Sequence, residues 1–246
     1  MTTKVIPGML IAMVAAEDVA REASARIAKT LREAVTSRGH ASLALSGGET
    51  PRATYAKLAA EPGVDWTKVD VFFVDERAVA ATSDRSNYRM VKEALLDPAK
   101  VPADLVHRMD GEAKDLGRAA AEYEQILRSK AAKGARTPEL DVLILGVGDD
   151  GHTASLFPGD GTVEVADKLV MAIPAKGERE ARITLTVPVL ENARAAFVLA
   201  VGSKKTPALE RVWAVTGSLA DTPARAIRNI RGSIMWVIDK AAGGMG

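Results

Sequence analysis

The chain has 246 residues, 47% of them hydrophobic and only 4% aromatic, with 33 basic and 32 acidic side chains and a net charge of +1. That balance argues against a general affinity for nucleic acid or anionic membrane. The absence of cysteine excludes disulfides, thiolate chemistry and cysteine-ligated metal.

From the N-terminus, residues 8–16 are apolar but too short to span a bilayer, and they read as a first strand. No signal peptide is visible, so a cytoplasmic protein is expected. Residues 17–38 carry apolar side chains at helical spacing and stop at Gly39. Residues 41–45 form a short apolar strand, then a glycine turn, then a helix to about residue 60. Residues 69–74 read as a strand ending in Asp75-Glu76-Arg77. Helices are expected over 86–96 and 112–133, the second long and exposed. The basic stretch 130–136 reads as a solvated connection. Strands follow at 141–147, 168–173, 182–187, 195–201 and 233–238, with a helix from 206 to about 215. The tail from residue 241 is expected to fray. Strands separated by helices imply βαβ units, hence an α/β fold with a mainly parallel Rossmann-like sheet, helices on both faces and extra strands. No linker or repeat divides residues 1–246, so a single domain is expected.

The three histidines are His40, His107 and His152. Only His152 follows directly on the carboxyl end of an expected strand, where α/β folds place their chemistry. Histidine titrates nearest neutrality and is the natural proton-transfer group. The preceding Gly146-Val147-Gly148-Asp149-Asp150-Gly151 matches the G-x-G-x-x-G dinucleotide fingerprint. That fingerprint needs a long helix starting at its glycines, and Pro158-Gly159 interrupts the chain a few residues on. The glycines read instead as allowing a tight turn and close approach of a ligand. Asp150 is placed to orient the His152 ring; a structural histidine in a turn is the alternative.

Other strand ends carry polar residues that packing does not explain. Ser46-Gly47-Gly48-Glu49-Thr50-Pro51, between a strand and a helix, offers backbone N–H groups and hydroxyls to an anion. A turn in which Thr50 caps the helix fits the same residues. Ser46 lacks the elbow glycine two positions earlier that a serine nucleophile wants; Ala44 stands there. In Asp75-Glu76-Arg77 the arginine suits an anionic group as a planar multi-donor cation; a salt-bridged turn is the alternative. Arg182 opens one strand, and Gly202-Ser203-Lys204-Lys205 follows another. Cations at strand ends beside a helix start suit a phosphate ester. Histidines in three separate segments give no zinc spacing, so no metal is expected.

Taken together, Ser46–Pro51, Asp75–Arg77, Gly148–Pro158 and Gly202–Lys205 resemble the signature segments of 6-phosphogluconolactonases, in order, over nearly the whole chain. The wider superfamily includes glucosamine-6-phosphate deaminases and has a modified Rossmann-like sheet. The resemblance implies hydrolysis of 6-phospho-D-glucono-1,5-lactone in the oxidative pentose phosphate pathway, with no metal or organic cofactor. It implies His152 and Asp150 as the catalytic pair, and Ser46, Gly47, Gly48, Thr50, Asp75, Arg77, Arg182 and Lys205 as substrate or phosphate ligands. Whether Lys204 or Lys205 meets the phosphate is open. Lys205 is followed by Thr206 where the family usually has alanine. Deaminases carry a glutamate where this chain has Phe157, which favours the lactonase. The alternatives are a deaminase or isomerase and a non-catalytic sugar-phosphate sensor. A small-molecule sugar-phosphate lactone is the expected partner, with no nucleic acid or membrane, and a monomer is expected because no long exposed apolar stripe stands out.

Overall fold

Short aliphatic runs that end in glycine or acidic residues bury both faces, and such strands need cover on each side. In the computed structural model, which describes residues 2–6 and 9–245 and side chains from Leu10 on, these runs form the centre of the molecule. The main sheet contains β1 (Thr2–Ile6), β2 (Met9–Val14), β3 (Ala41–Leu45), β4 (Val69–Phe73), β6 (Val142–Gly146), β9 (Ala195–Ala200) and β10 (Ser233–Asp239). Their spatial order is β1-β2-β10-β9-β6-β3-β4. The last six are parallel; β1 runs antiparallel along β2. The mainly parallel α/β architecture expected from the sequence is therefore observed. Gly8, part of the expected first strand, lies outside the described residues, and β1 was not anticipated.

From β3 the chain steps outward to β4 and then returns to the other side of β3 as β6. Connections therefore diverge between the carboxyl ends of β3 and β6, and a crevice opens there. Helix α1 (Val19–Arg38) buries Ile27, Ala28 and Leu31 completely and packs against β3, β6, β9, β10 and α2 (Glu49–Leu58). Trp236 of β10 is fully buried, with Trp213 edge-on at 5.4 Å between ring centroids.

Asp75-Glu76-Arg77 differs from its expected role as the end of β4. After Val74, whose N–H bonds to Leu45 O at 2.8 Å, the chain crosses to a second sheet. There β5 (Asp75–Arg77) pairs antiparallel with β8 (Arg182–Leu185), which pairs with β7 (Val170–Ile173). Strand β8 stops at Leu185 rather than residue 187, because Val187-Pro188 opens the short helix α5 (Val187–Glu191). The helical segment at 87–96 starts as α3 (Asn87–Val91) and widens into a π turn over Lys92–Leu96.

Two expectations are corrected. The helix expected over 112–133 is α4 (Leu116–Ser129); it begins late because the Asp115 carboxylate accepts Arg118 N–H and caps it. It is also half-buried rather than exposed, since Ala119, Ala120, Tyr123 and Leu127 cover β7 and β8. The tail does not fray over 241–245: Ala242 is fully buried, its N–H donates to Asp239 Oδ1 at 2.8 Å, and Met245 N–H bonds to Lys240 O at 2.9 Å.

Candidate active site

The β6 strand delivers the chain into Val147-Gly148 at the carboxyl edge of the sheet, and the peptide then folds back on itself. Gly148 N–H bonds to His152 O and Gly151 N–H to Gly148 O, each at 2.9 Å. No helix starts at these glycines, so the dinucleotide fingerprint lacks the structure it needs. Gly148 has a steric reason: a Cβ there would lie 2.1 Å from His152 Nδ1 and 2.6 Å from Asp150 Oδ1. The missing side chain lets the histidine and aspartate meet across the turn.

His152 Nδ1 lies 2.6 Å from Asp150 Oδ1, which also accepts the His152 backbone N–H at 3.0 Å. Burial alone would push the Asp150 carboxyl up, but the hydrogen bonds from His152 outweigh it and hold it at about 2. An ionised carboxylate only accepts, so it fixes the proton on Nδ1 and leaves the Nε2 lone pair toward the cavity. Phe157 packs beside the ring at 4.7 Å between centroids, and the Arg179 guanidinium lies 4.0 Å over the Phe157 ring. That arrangement places an apolar ring beside His152.

Opposite His152, β3 ends in Ser46-Gly47-Gly48 and α2 starts at Glu49. Gly48 rather than Thr50 occupies the helix N-cap, with no side-chain cap, so the first-turn N–H groups stay available. Thr50 lies within the first turn, so its expected capping role does not hold. Ser46 is 5% exposed, and its buried hydroxyl has no partner. Gly47 is required by close packing: a Cβ would meet Asn87 Oδ1 at 2.0 Å.

The second sheet supplies the cations. Arg77 and Arg182 are cross-strand partners in the β5–β8 register. Arg77 Nη1 donates to Arg85 O at 2.6 Å, while Nε of both arginines is buried without a partner. Asp75, 5% exposed, accepts from Ser155 Oγ at 2.6 Å and Asn87 Nδ2 at 3.2 Å, with Arg182 Nη1 3.5 Å away. Burial pushes the Arg182 guanidinium below its ordinary value while Asp75 opposes the shift. Beneath Arg77, the Glu76 carboxylate accepts the N–H groups of Arg77, Asn87 and Tyr88, each at 2.8 Å, and the Ser86 hydroxyl at 3.0 Å. Burial raises its pKa despite those four bonds. From beyond β9, Lys205 Nζ reaches Asp149 Oδ1 at 2.7 Å.

These groups line one cavity of about 330 Å³ at the carboxyl ends of β3, β4, β6 and β9: Ser46, Gly47, Gly48, Thr50, Asp75, Arg77, His152, Arg182 and Lys205 all face it. Asp150 stands behind His152, and Lys204 does not line the cavity. Asn87 also lines the cavity, and fully buried Ser155 supports it through Asp75; sequence reasoning missed both. Ser155 lay inside the His152 segment, but its partner Asp75 is 80 positions away. A larger cavity of about 710 Å³ opens at the opposite ends of the strands, where Lys130 and His107 pair with Asp70, and Arg38 pairs with Asp141. Lys130 is thus anchored rather than part of a wholly solvated connection. Among the described residues no group of histidine and acidic side chains is arranged to hold a metal ion, and no helix is long and apolar enough to cross a membrane.

This architecture and sequence have close counterparts. The chain is 36% identical to a 6-phosphogluconolactonase of Synechocystis sp. over 214 residues, covering 87% of this chain and 88% of the relative. It is 38% identical to a 6-phosphogluconolactonase of Rhizobium meliloti over 217 residues, covering 86% and 88% of the two chains. The fold superposes on the solved structure of 6-phosphogluconolactonase from Trypanosoma brucei with a TM-score of 0.83 at 29% identity, covering 95% and 97% of the two chains. Residues 15–236 match the family described as glucosamine-6-phosphate isomerases/6-phosphogluconolactonase, and the chain belongs to that family.

Proposed function

We propose that the chain hydrolyses 6-phospho-D-glucono-1,5-lactone to 6-phospho-D-gluconate in the oxidative pentose phosphate pathway, with water activated by His152. The observation that carries this reading is the His152–Asp150 pair facing the same small cavity as Arg77, Arg182, Lys205 and the Ser46 loop. The cations, the Ser46 and Thr50 hydroxyls and the first-turn N–H groups of α2 hold the phosphate and so fix the lactone carbon near Nε2. Nε2 takes a proton from water as the oxygen attacks C1, and Asp150 stabilises the imidazolium. The tetrahedral oxyanion forms in the field of the cavity cations. It collapses with cleavage of the C1–ring oxygen bond, and the imidazolium returns its proton to the departing oxygen. Asp75 repels phosphate; it holds Ser155 and Arg182 in place and accepts a sugar hydroxyl.

A lactone is an activated ester, so one base and a few donors suffice, and no step calls for a metal or organic cofactor. The enzyme acts as a cytoplasmic monomer on a small sugar phosphate, without nucleic acid or membrane. The deciding experiment compares hydrolysis of the lactone with and without its 6-phosphate, corrected for spontaneous opening. The phosphorylated lactone is expected to have by far the higher kcat/KM; equal values overturn the reading. Ammonia release from glucosamine 6-phosphate would instead point to a deaminase, which Phe157 beside His152 disfavours.

A further inference from the structure

Lys205 faces the cavity already paired with a carboxylate. Its Nζ lies 2.7 Å from Asp149 Oδ1, and the two side chains are 28% and 57% exposed. The Asp149 backbone is held independently of that pair: Arg211 Nη2 donates to its carbonyl oxygen at 3.2 Å. The bonds that close the turn between Gly148 and His152 are also made by the backbone. The Asp149 side chain can therefore swing away while the peptide carrying Asp150 and His152 stays in place.

A half-exposed ion pair of this kind is weak and screened by salt. A phosphate monoester brings roughly −1.5 to −2 charges at pH 7 and three strong acceptor oxygens, against one negative charge on the carboxylate. An ammonium on a flexible four-carbon stem can change partners without rearranging the backbone. Resting on the reading that Lys205 binds the substrate's phosphate, we propose that Asp149 is a displaceable resident anion. It holds Lys205 in the free enzyme, yields it to the incoming phosphate, and takes it back as the product leaves. Once the phosphate is bound, Asp149 is also its like-charged neighbour. Both effects oppose phosphate retention, and the product carries the same phosphate as the substrate. Asp149 thus trades binding strength for turnover, as a positioning residue acting through Lys205.

Inorganic phosphate as a competitive inhibitor of lactone hydrolysis reads this directly. Asp149→Asn is expected to lower its inhibition constant by about 3- to 10-fold at low ionic strength, with the difference shrinking as salt is added. Asp149→Glu keeps the carboxylate and should stay near the native value. In a Lys205→Ala background, Asp149→Asn should lose most of its effect. A gain in affinity is not what a loosened or misfolded loop produces. If Lys205→Ala weakens phosphate inhibition but Asp149→Asn leaves it unchanged or weaker, the exchange is wrong and the phosphate site stands. If Lys205→Ala leaves phosphate inhibition at the native value, the phosphate reading fails and the exchange falls with it.

Discussion

At the scale of single residues, the proposed chemistry rests on one ring nitrogen, Nε2 of His152. His152→Ala is expected to lose about 10²- to 10⁴-fold in kcat, the range for removing a general base. Ser46→Ala should act mainly on KM; near-complete loss of kcat with a trapped acyl-enzyme would replace the water mechanism by a covalent one. Asp150, held at about 2, is ionised at neutral pH and on this proposal orients the ring. Asp150→Asn should therefore lower kcat well beyond any effect on KM; an unchanged kcat would refute the pairing. The same depressed carboxyl has a stability consequence. Its folded-state pKa lies below the ordinary 3.8, so its modest contribution is present above about 4 and lost as pH falls toward 2. The His152–Asp150 pair was legible because its members are two positions apart. The link from Ser155 to Asp75 was not, because it spans 80 positions.

At the scale of elements, the decisive feature is the crossing from β4 into β5. Three charged residues after an apolar strand read as a strand end, yet they form an edge of a second sheet. Glu76 ties that crossing to α3 by accepting the N–H groups of Asn87 and Tyr88 and the Ser86 hydroxyl at the start of the helix, along with the N–H of Arg77 in β5. Glu76→Gln replaces an acceptor-only group by one that is half donor. It should destabilise the fold by about 1–3 kcal/mol through unpaired buried donors, read as a lower Tm. It should also raise KM, because Arg77 is positioned from the same carboxylate. The β5–β8 register pairs Arg77 with Arg182, and Lys205 approaches from the β9 side. Arg182→Ala or Lys205→Ala should each cost roughly 1.5–3 kcal/mol in binding the phosphorylated lactone and much less for the unphosphorylated one, measured as kcat/KM ratios. Equal losses for both lactones would remove the phosphate role. Helix and strand periodicity located α1, α2 and the parallel strands. It overran α4 and β8, where a cap at Asp115 and a helix start at Val187-Pro188 end the periodic pattern.

At the scale of the whole molecule, the sheet order sets the site where connections diverge between β3 and β6. Activity is expected to survive exhaustive dialysis against EDTA; loss on chelation restored by one added metal would show a Lewis acid in the mechanism. The sequence by itself determined the parallel α/β class, because apolar runs alternating with helical spacing admit few other packings. It also singled out His152 as the candidate base, because one histidine alone follows a strand end. It could not place the two sheets, because antiparallel pairing of β5 with β8 joins segments over 100 positions apart. Nor could it choose between Lys204 and Lys205, since adjacent side chains are separated only by the turn that carries them. The tertiary structure sends Lys205 into the cavity, against Asp149. Local chemistry survives in the chain order; the meeting of distant charges is decided only when the sheets pack.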